Sequence, residues 1–324
     1  MGGEFLPTVC VKNIKKREVT MPLSESNTKP SVAVMGAGSV GCFFGAMLAR
    51  VGFPVTLIGR PVHVDAVNQH GLLLDTKKFS EHVPMKAVSD ASGVKGARLV
   101  LFCVKSTDSE SAAREIAPYL EPDAVILTLQ NGAESPELLR QRLTQRVIPA
   151  VVYVATEMAG SGHVKHHGRG ELVIGDAPES ADIQQWFQLA GVPVEVSPNV
   201  MGPLWGKLII NCAYNALSAI AQKMYGDLVQ VEGVPALMDT VVTECLAVAK
   251  AEGIDVPGNM HETVRNLAST MATQYSSTAQ DLARGKKTEI DYLNGYVCRL
   301  GQKHGVPTPV NQTLLTLVKL VSKH

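Results

Sequence analysis

Short apolar runs bounded by glycine or proline alternate with helical periodicity through the first part of the chain, and helical periodicity alone fills the rest. Ser31-Val32-Ala33-Val34-Met35 is one such run, closed by Gly36, and it predicts a buried strand. A helical pattern covers residues 40–51. Gly52 and Pro54 end it, and Val55-Thr56-Leu57-Ile58 predicts a second strand. Strand, helix and strand in that order make a βαβ unit, which favours a parallel sheet. Further strands are predicted at 98–104, 124–129, 147–155 and 194–196, with helices at 109–117 and 136–142. Gly-rich turns separating 163–166 from 171–174 predict an antiparallel addition. Beyond Pro198 the predicted elements are helices only, at 203–222, 235–251, 260–271, 289–304 and 310–322. Gly305 suits a helix C-terminal position, with Pro307 just beyond. The expected domains are 31–198, an α/β unit, and 199–324, an all-α unit, with the 198–202 connection as hinge.

Composition narrows the function. The 324 residues are 45% apolar and 19% charged, a globular balance. Lys+Arg and Asp+Glu both number 30, so bulk charge draws the chain to neither nucleic acid nor an acidic membrane. No apolar stretch reaches the ~18 residues of a membrane span. The six cysteines are scattered without a CxxC pair, which reads as buried free thiols in a reducing, cytoplasmic compartment. Residues 1–30 carry Lys12-Asn13-Ile14-Lys15-Lys16-Arg17 and then a polar stretch, with no apolar core of a secretory signal. They are expected to be a leader outside the fold: a disordered arm, or a segment ahead of a natural start at Met21. His163, His166 and His167 lie among Gly162, Gly168 and Gly170, which reads as a surface hairpin rather than a metal site; no metal is expected.

Gly36-Ala37-Gly38-Ser39-Val40-Gly41 is a GxGxxG run that follows a strand and opens a helix inside the βαβ unit. In that context Gly36 permits a tight turn, Gly38 lets backbone approach a pyrophosphate, and Gly41 lets helix pack on strand. The fold class is therefore an α/β Rossmann-type dinucleotide-binding domain followed by an all-α C-terminal domain. The second strand ends in Gly59-Arg60 where an acidic residue would accept from the ribose of NAD. Arg60 can instead pair with the 2′-phosphate of NADPH, the alternative being a surface arginine. Lys105 and Asn131 end successive strands on the rim where such sheets bind ligands; ordinary loop residues are the alternative there.

Lys207, Asn211 and Asn215 recur every four residues and form one polar stripe on an apolar helix. On spacing alone a solvated face is favoured. Thr288-Glu289 similarly reads on its own as a helix start, with the acid near the positive end of the dipole.

Taken together, GAGSVG, the strand ends CVK and QNG, KLIINCAYNALSAI, and SSTAQD followed by TEIDYLNG resemble the ketopantoate reductase (2-dehydropantoate 2-reductase) family from Ser31 to the C-terminus. The resemblance implies NADPH-dependent reduction of 2-dehydropantoate to (R)-pantoate, toward pantothenate and coenzyme A. It implies that Lys207 is the proton donor, with Glu289 serving both the catalytic arrangement and the cofactor ribose. Lys207, Asn211, Asn215 and Ser277 would bind substrate. Gly36, Ala37, Gly38, Ser39, Val40, Gly41, Arg60, Lys105, Asn131 and Ala155 would bind NADPH. The partner is a small 2-oxo acid, and a homodimer is left open. One position departs from the family: Tyr225 stands where a further substrate-binding Asn is expected. Reduction of a different 2-oxo acid is therefore the alternative, and a non-catalytic NADP(H)-sensing module a more distant one.

Overall fold

A computed structural model describes residues 29–322. The expected leader lies outside the described residues except for Lys29 and Pro30.

The α/β region runs β1 (Val32–Met35), α1 (Ser39–Arg50), β2 (Val55–Ile58), α2 (Pro61–His70), β3 (Leu72–Asp75), β4 (Ser80–Val83), β5 (Lys86–Val88), β6 (Leu99–Phe102), α3 (Ser109–Ile116), β7 (Val125–Thr128), α4 (Ser135–Arg140), β8 (Arg146–Gly160), β9 (His163–Gly175), α5 (Ser180–Leu189) and β10 (Val194–Ser197). The helical region follows as α6 (Met201–Ala221), α7 (Tyr225–Leu228), α8 (Val234–Ala251), α9 (Met260–Thr270), α10 (Ser277–Ala283), a 3₁₀ turn Ile290–Tyr292, α11 (Asn294–His304) and α12 (Pro309–Val321).

Six strands pair in parallel in the order β5-β2-β1-β6-β7-β8. The chain direction across the sheet reverses between β1 and β6, and ligands bind outside the carboxyl ends of strands at such a point. Burial on both faces explains the unbroken apolar strands. In β6, Leu99 and Leu101 pack with Phe43, Phe44 and Leu48 of α1. Val100 and Phe102 pack on the other face with Ala113 and Ile116 of α3.

β8 has 15 residues: its start pairs with β7, and from Ala150 it pairs antiparallel with β9. It thus carries the sheet around α1. β9 is one strand of 13 residues where a turn between two shorter pieces was expected. Its glycines serve irregularities in the pairing with β8 rather than a chain reversal. The sequence pattern also missed α2, β3–β5 and α5; three of the four residues of β4 are exposed, so no apolar alternation marks it.

α6 is the centre of the helical region. Its Leu208, Ile209 and Cys212 pack with Val241 and Cys245 of α8 and Leu314 and Val318 of α12. Val151 of β8 joins the same cluster and ties the two regions together. No residue from 201 to 220 is exposed, so the polar stripe of α6 is not the solvated face that spacing alone favours. Nor does Glu289 begin a helix. The chain turns through Ile290–Tyr292, leaves helical geometry at Leu293 (φ −108°, ψ −102°), and starts α11 at Asn294. The buried Asn294 amide fixes that start, donating to the Cys212 carbonyl at 3.2 Å and to Asn311 Oδ1 at 3.0 Å. The connection into α6 is pinned as well, since Asn199 Nδ2 donates to the Asp255 carbonyl at 3.0 Å. Among the described residues no helix is long and apolar enough to cross a membrane. The five described cysteines are free.

Candidate active site

The glycine loop is shaped by the end of β6. Gly36 has φ +101°, and a Cβ there would lie 2.6 Å from the Val104 amide nitrogen. A Cβ on Gly41 would lie 2.5 Å from the Gly36 carbonyl oxygen and 2.7 Å from Val34 Cγ1. Both positions need glycine for protein reasons. Gly38 does not: its φ is −83°, and a Cβ there meets nothing within 4 Å. Gly38 is also the N-cap of α1, and no side chain caps that helix. The loop therefore presents free N–H groups at the positive end of a helix beside open space, which fits a dinucleotide pyrophosphate. Ser39 and Val40 open that helix, and Ala37 packs under Gly59, where a Cβ would come within 2.7 Å of its own. Arg60 lies two residues beyond β2 as the exposed N-cap of α2 and forms no ion pair among the described residues, so its guanidinium is free for a 2′-phosphate.

Three segments converge at the ends of β6 and β7 and at Val152 within β8. Lys207 Nζ on α6 donates to Asn131 Oδ1 at 3.1 Å and to the Val152 carbonyl at 2.6 Å. An ammonium has three N–H donors, so one is left for a ligand. Glu289 Oε1 accepts from the Ser106 amide at 2.8 Å, and Ser106 Oγ donates to the Asn131 carbonyl at 3.4 Å. Lys105 Nζ pairs with Asp281 Oδ2 at 2.7 Å. Gln130 Nε2 fixes these loops by donating to the Val104 carbonyl at 2.8 Å and to Ser109 Oγ at 2.7 Å. Gly132, at φ +84°, lets the strand end press on the Tyr292 carbonyl.

Burial lowers the pKa of Lys207 to about 8; the nearby Arg169 charge adds to the shift and Glu289 opposes it. A lysine near neutrality can give up a proton and recover it, which suits an acid in a reduction.

The rest of the stripe is less open. Asn211 is half-buried one turn along α6. Asn215 is only 2% exposed, and its Oδ1 accepts from the Tyr225 hydroxyl at 3.4 Å. The Tyr225 ring lies 4.5 Å from that of Tyr214. Ser277 is exposed as the first residue of α10, while the buried Ser276 caps that helix through the Ala279 amide at 3.0 Å. Ala155 is half-buried on β8 opposite Gly168. No side-chain bond joins Asn211, Ser277 or Arg60 to the cluster around Lys207.

Sequence reasoning missed Asp281, Ser106 and Arg169. Asp281 stands in the SSTAQD stretch without an assigned role, and Ser106 acts through its backbone, which carries no sequence signal. The histidines are structural parts of β9 and its neighbours. His166 stacks on Phe43 at 4.4 Å, and its Nε2 lies 2.8 Å from the Arg169 carbonyl. Among the described residues no group of His, Cys, Asp and Glu could hold a metal.

The family model Ketopantoate reductase PanE/ApbA matches residues 32–179, and its C-terminal counterpart matches 199–322. A 2-dehydropantoate 2-reductase of Halobacterium salinarum is 34% identical over 90% of this chain and 99% of its own length. A PanE/ApbA family ketopantoate reductase from Ralstonia eutropha is 57% identical with a TM-score of 0.89, covering 90% of this chain and 98% of that one. D-mandelate dehydrogenase, solved with NADH and anilino(oxo)acetate, is 25% identical with a TM-score of 0.83, covering 90% and 98%.

Proposed function

This chain belongs to the ketopantoate reductase family, and on that premise we propose that it reduces ketopantoate to pantoate with NADPH, Lys207 being the proton donor. The observation that carries the reading is the Lys207 ammonium, held by Asn131 Oδ1 and the Val152 carbonyl with one N–H to spare. The reading assigns 31–198 to the cofactor and 199–324 to substrate and catalysis. It includes a cytoplasmic location and leaves room for a homodimer.

Bound NADPH would supply the hydride for C2 of the substrate. Lys207 hydrogen-bonds the ketone oxygen, stabilises the developing alkoxide and protonates it. Asn131 and the Val152 carbonyl hold the ammonium in place. Glu289 fixes the Ser106 loop, whose Ser106 hydroxyl in turn holds the Asn131 carbonyl, and opposes the loss of charge at Lys207. Asn211, Asn215 and Ser277 are the substrate-binding side chains of this reading, and Lys105 and Ala155 serve the cofactor with the glycine loop.

Loss of NADPH absorbance with ketopantoate tests the proposal, with NADH and other 2-oxo acids run alongside. Turnover with NADPH and ketopantoate is expected. A second reading rests on Tyr225, whose hydroxyl takes the Asn215 oxygen that would otherwise face substrate. It keeps the chemistry and changes the 2-oxo acid, and turnover with another member of the panel but not ketopantoate would select it.

Arg60 should govern cofactor choice. Arg60→Ala is expected to raise the KM for NADPH about 10-fold and leave that for NADH unchanged, because only the former carries the 2′-phosphate. Initial rates with each cofactor measure this; equal effects on both would remove Arg60 from the phosphate site.

A further inference from the structure

Arg169 is the most unusual side chain near the site. It adopts φ +62° inside a β-strand, a left-handed conformation that arginine rarely takes. Its neighbours Gly168 and Gly170 have φ +153° and +135°. The register of β8 against β9 shifts between Tyr153 and Val154, and again between Ala155 and Thr156, so the Val154–Arg169 pair sits between two irregularities. Such bulges re-aim a side chain and gather beside active sites. The His166 ring nitrogen at the Arg169 carbonyl supports the distorted backbone.

The face to which the side chain is aimed follows from its contacts. The guanidinium lies 4.5 Å from the centre of the Tyr153 ring, and Tyr153 packs on the helical core that α6 organises. Val152, the residue before Tyr153, gives its carbonyl to Lys207. Arg169 therefore stands on the side of the sheet that faces α6, next to the strand segment that holds the lysine. Consistent with that placement, its charge contributes to the lowered pKa of Lys207. Its own partner is weak: Nε meets Glu171 Oε2 at 3.3 Å, with the two side chains 60% and 45% exposed. No described residue bonds its two Nη groups.

Two cations on the same face of the sheet, each with N–H donors to spare, suit an anion between them. A 2-oxo acid has that form, with its carboxylate one bond from the ketone that Lys207 protonates. We propose that Arg169 anchors the substrate carboxylate and makes the enzyme select 2-oxo acids over their uncharged analogues. The inference rests on the proposed reductase activity.

The test compares ketopantoate with its methyl ester at saturating NADPH, in wild type, Arg169→Ala, Arg169→Lys and Glu171→Gln. Wild type should prefer the acid. Arg169→Ala should lose that preference, the KM for the acid rising about 10- to 100-fold while the KM for NADPH stays put; Arg169→Lys should restore part of it. The alkaline limb of kcat/KM should move upward from about pH 8 in Arg169→Ala, since a neighbouring cation is gone. Glu171→Gln leaves the guanidinium and should lower the KM for the acid about 2- to 3-fold without affecting the ester. An unchanged acid-over-ester ratio in Arg169→Ala would overturn the proposal. Should that variant fail to bind NADPH, an unchanged acid KM in Glu171→Gln would do so instead. If wild type reduces no 2-oxo acid at all, the reductase reading fails first and the anchor falls with it.

Discussion

Lys207→Ala is expected to lower kcat for 2-oxo acid reduction by about 10²- to 10⁴-fold, the usual worth of a positioned general acid. The Kd for NADPH should change little, because Lys207 bonds neither the glycine loop nor Arg60, and Asn131, which it does touch, is also held through its carbonyl by Ser106. A loss confined to KM would instead mark Lys207 as a binding group only. The pH profile gives the same test without mutation. Lys207 has a pKa of about 8, so it is mainly protonated below that pH and mainly neutral above it. Reduction needs the protonated form and should fall as pH rises through about 8. Oxidation of the hydroxy acid needs the neutral amine as base and should rise over the same window.

Gly38→Asp should separate the fold from the cofactor. Gly38 has ordinary φ, nothing within 4 Å of its Cβ, and the N-cap position of α1. Aspartate is among the preferred N-caps, and its carboxylate suits the positive end of the helix. Thermal stability should therefore hold or rise slightly. NADPH affinity should fall by about 10²-fold, because the new carboxylate takes the amides meant for the pyrophosphate and repels its charge. Unfolding curves and fluorescence titration with NADPH read the two effects independently. Gly41→Ala should differ in its effect on stability. Its Cβ would stand 2.5 Å from the Gly36 oxygen, so it should lose about 1–3 kcal/mol of stability along with affinity. Loss of stability in Gly38→Asp with NADPH binding intact would contradict this account of the loop.

The parts legible in sequence were those whose local pattern and tertiary role agree. β1, the glycine loop, α1 and β2 are such a case, since strands buried on both faces are unbroken apolar runs and the glycines punctuate them. α6 was legible as a helix but not as a buried one: burial of Lys207 and Asn215 depends on β8, α8 and α12 closing around it. β3, β4 and β5 escaped notice because they are 3 or 4 residues long and partly exposed. The turn at Glu289 escaped for a different reason. It depends on the Asn294 amide reaching the Cys212 carbonyl, 82 residues away, which no helical period reports.

The site divides in the same way. The resemblance named Lys207, Asn131 and Glu289, and the fold brings them onto one set of strand ends. It named Lys105 as well, but not the Asp281 carboxylate that pairs with it at 2.7 Å. Arg169 was hidden because Gly-Arg-Gly in a predicted turn looks like a surface loop. Its place beside Tyr153 comes from the pairing of β8 with β9, a long-range feature.

The most direct test of the whole account is isotope transfer. NADPH deuterated at C4 of the nicotinamide, in either face, is incubated with the enzyme and ketopantoate, and the pantoate formed is weighed by mass spectrometry. The account predicts pantoate carrying one deuterium at C2 from one of the two labelled cofactors, formed as fast as NADPH is consumed. Cofactor that binds tightly yet yields no labelled hydroxy acid, from ketopantoate or any other 2-oxo acid, would contradict it.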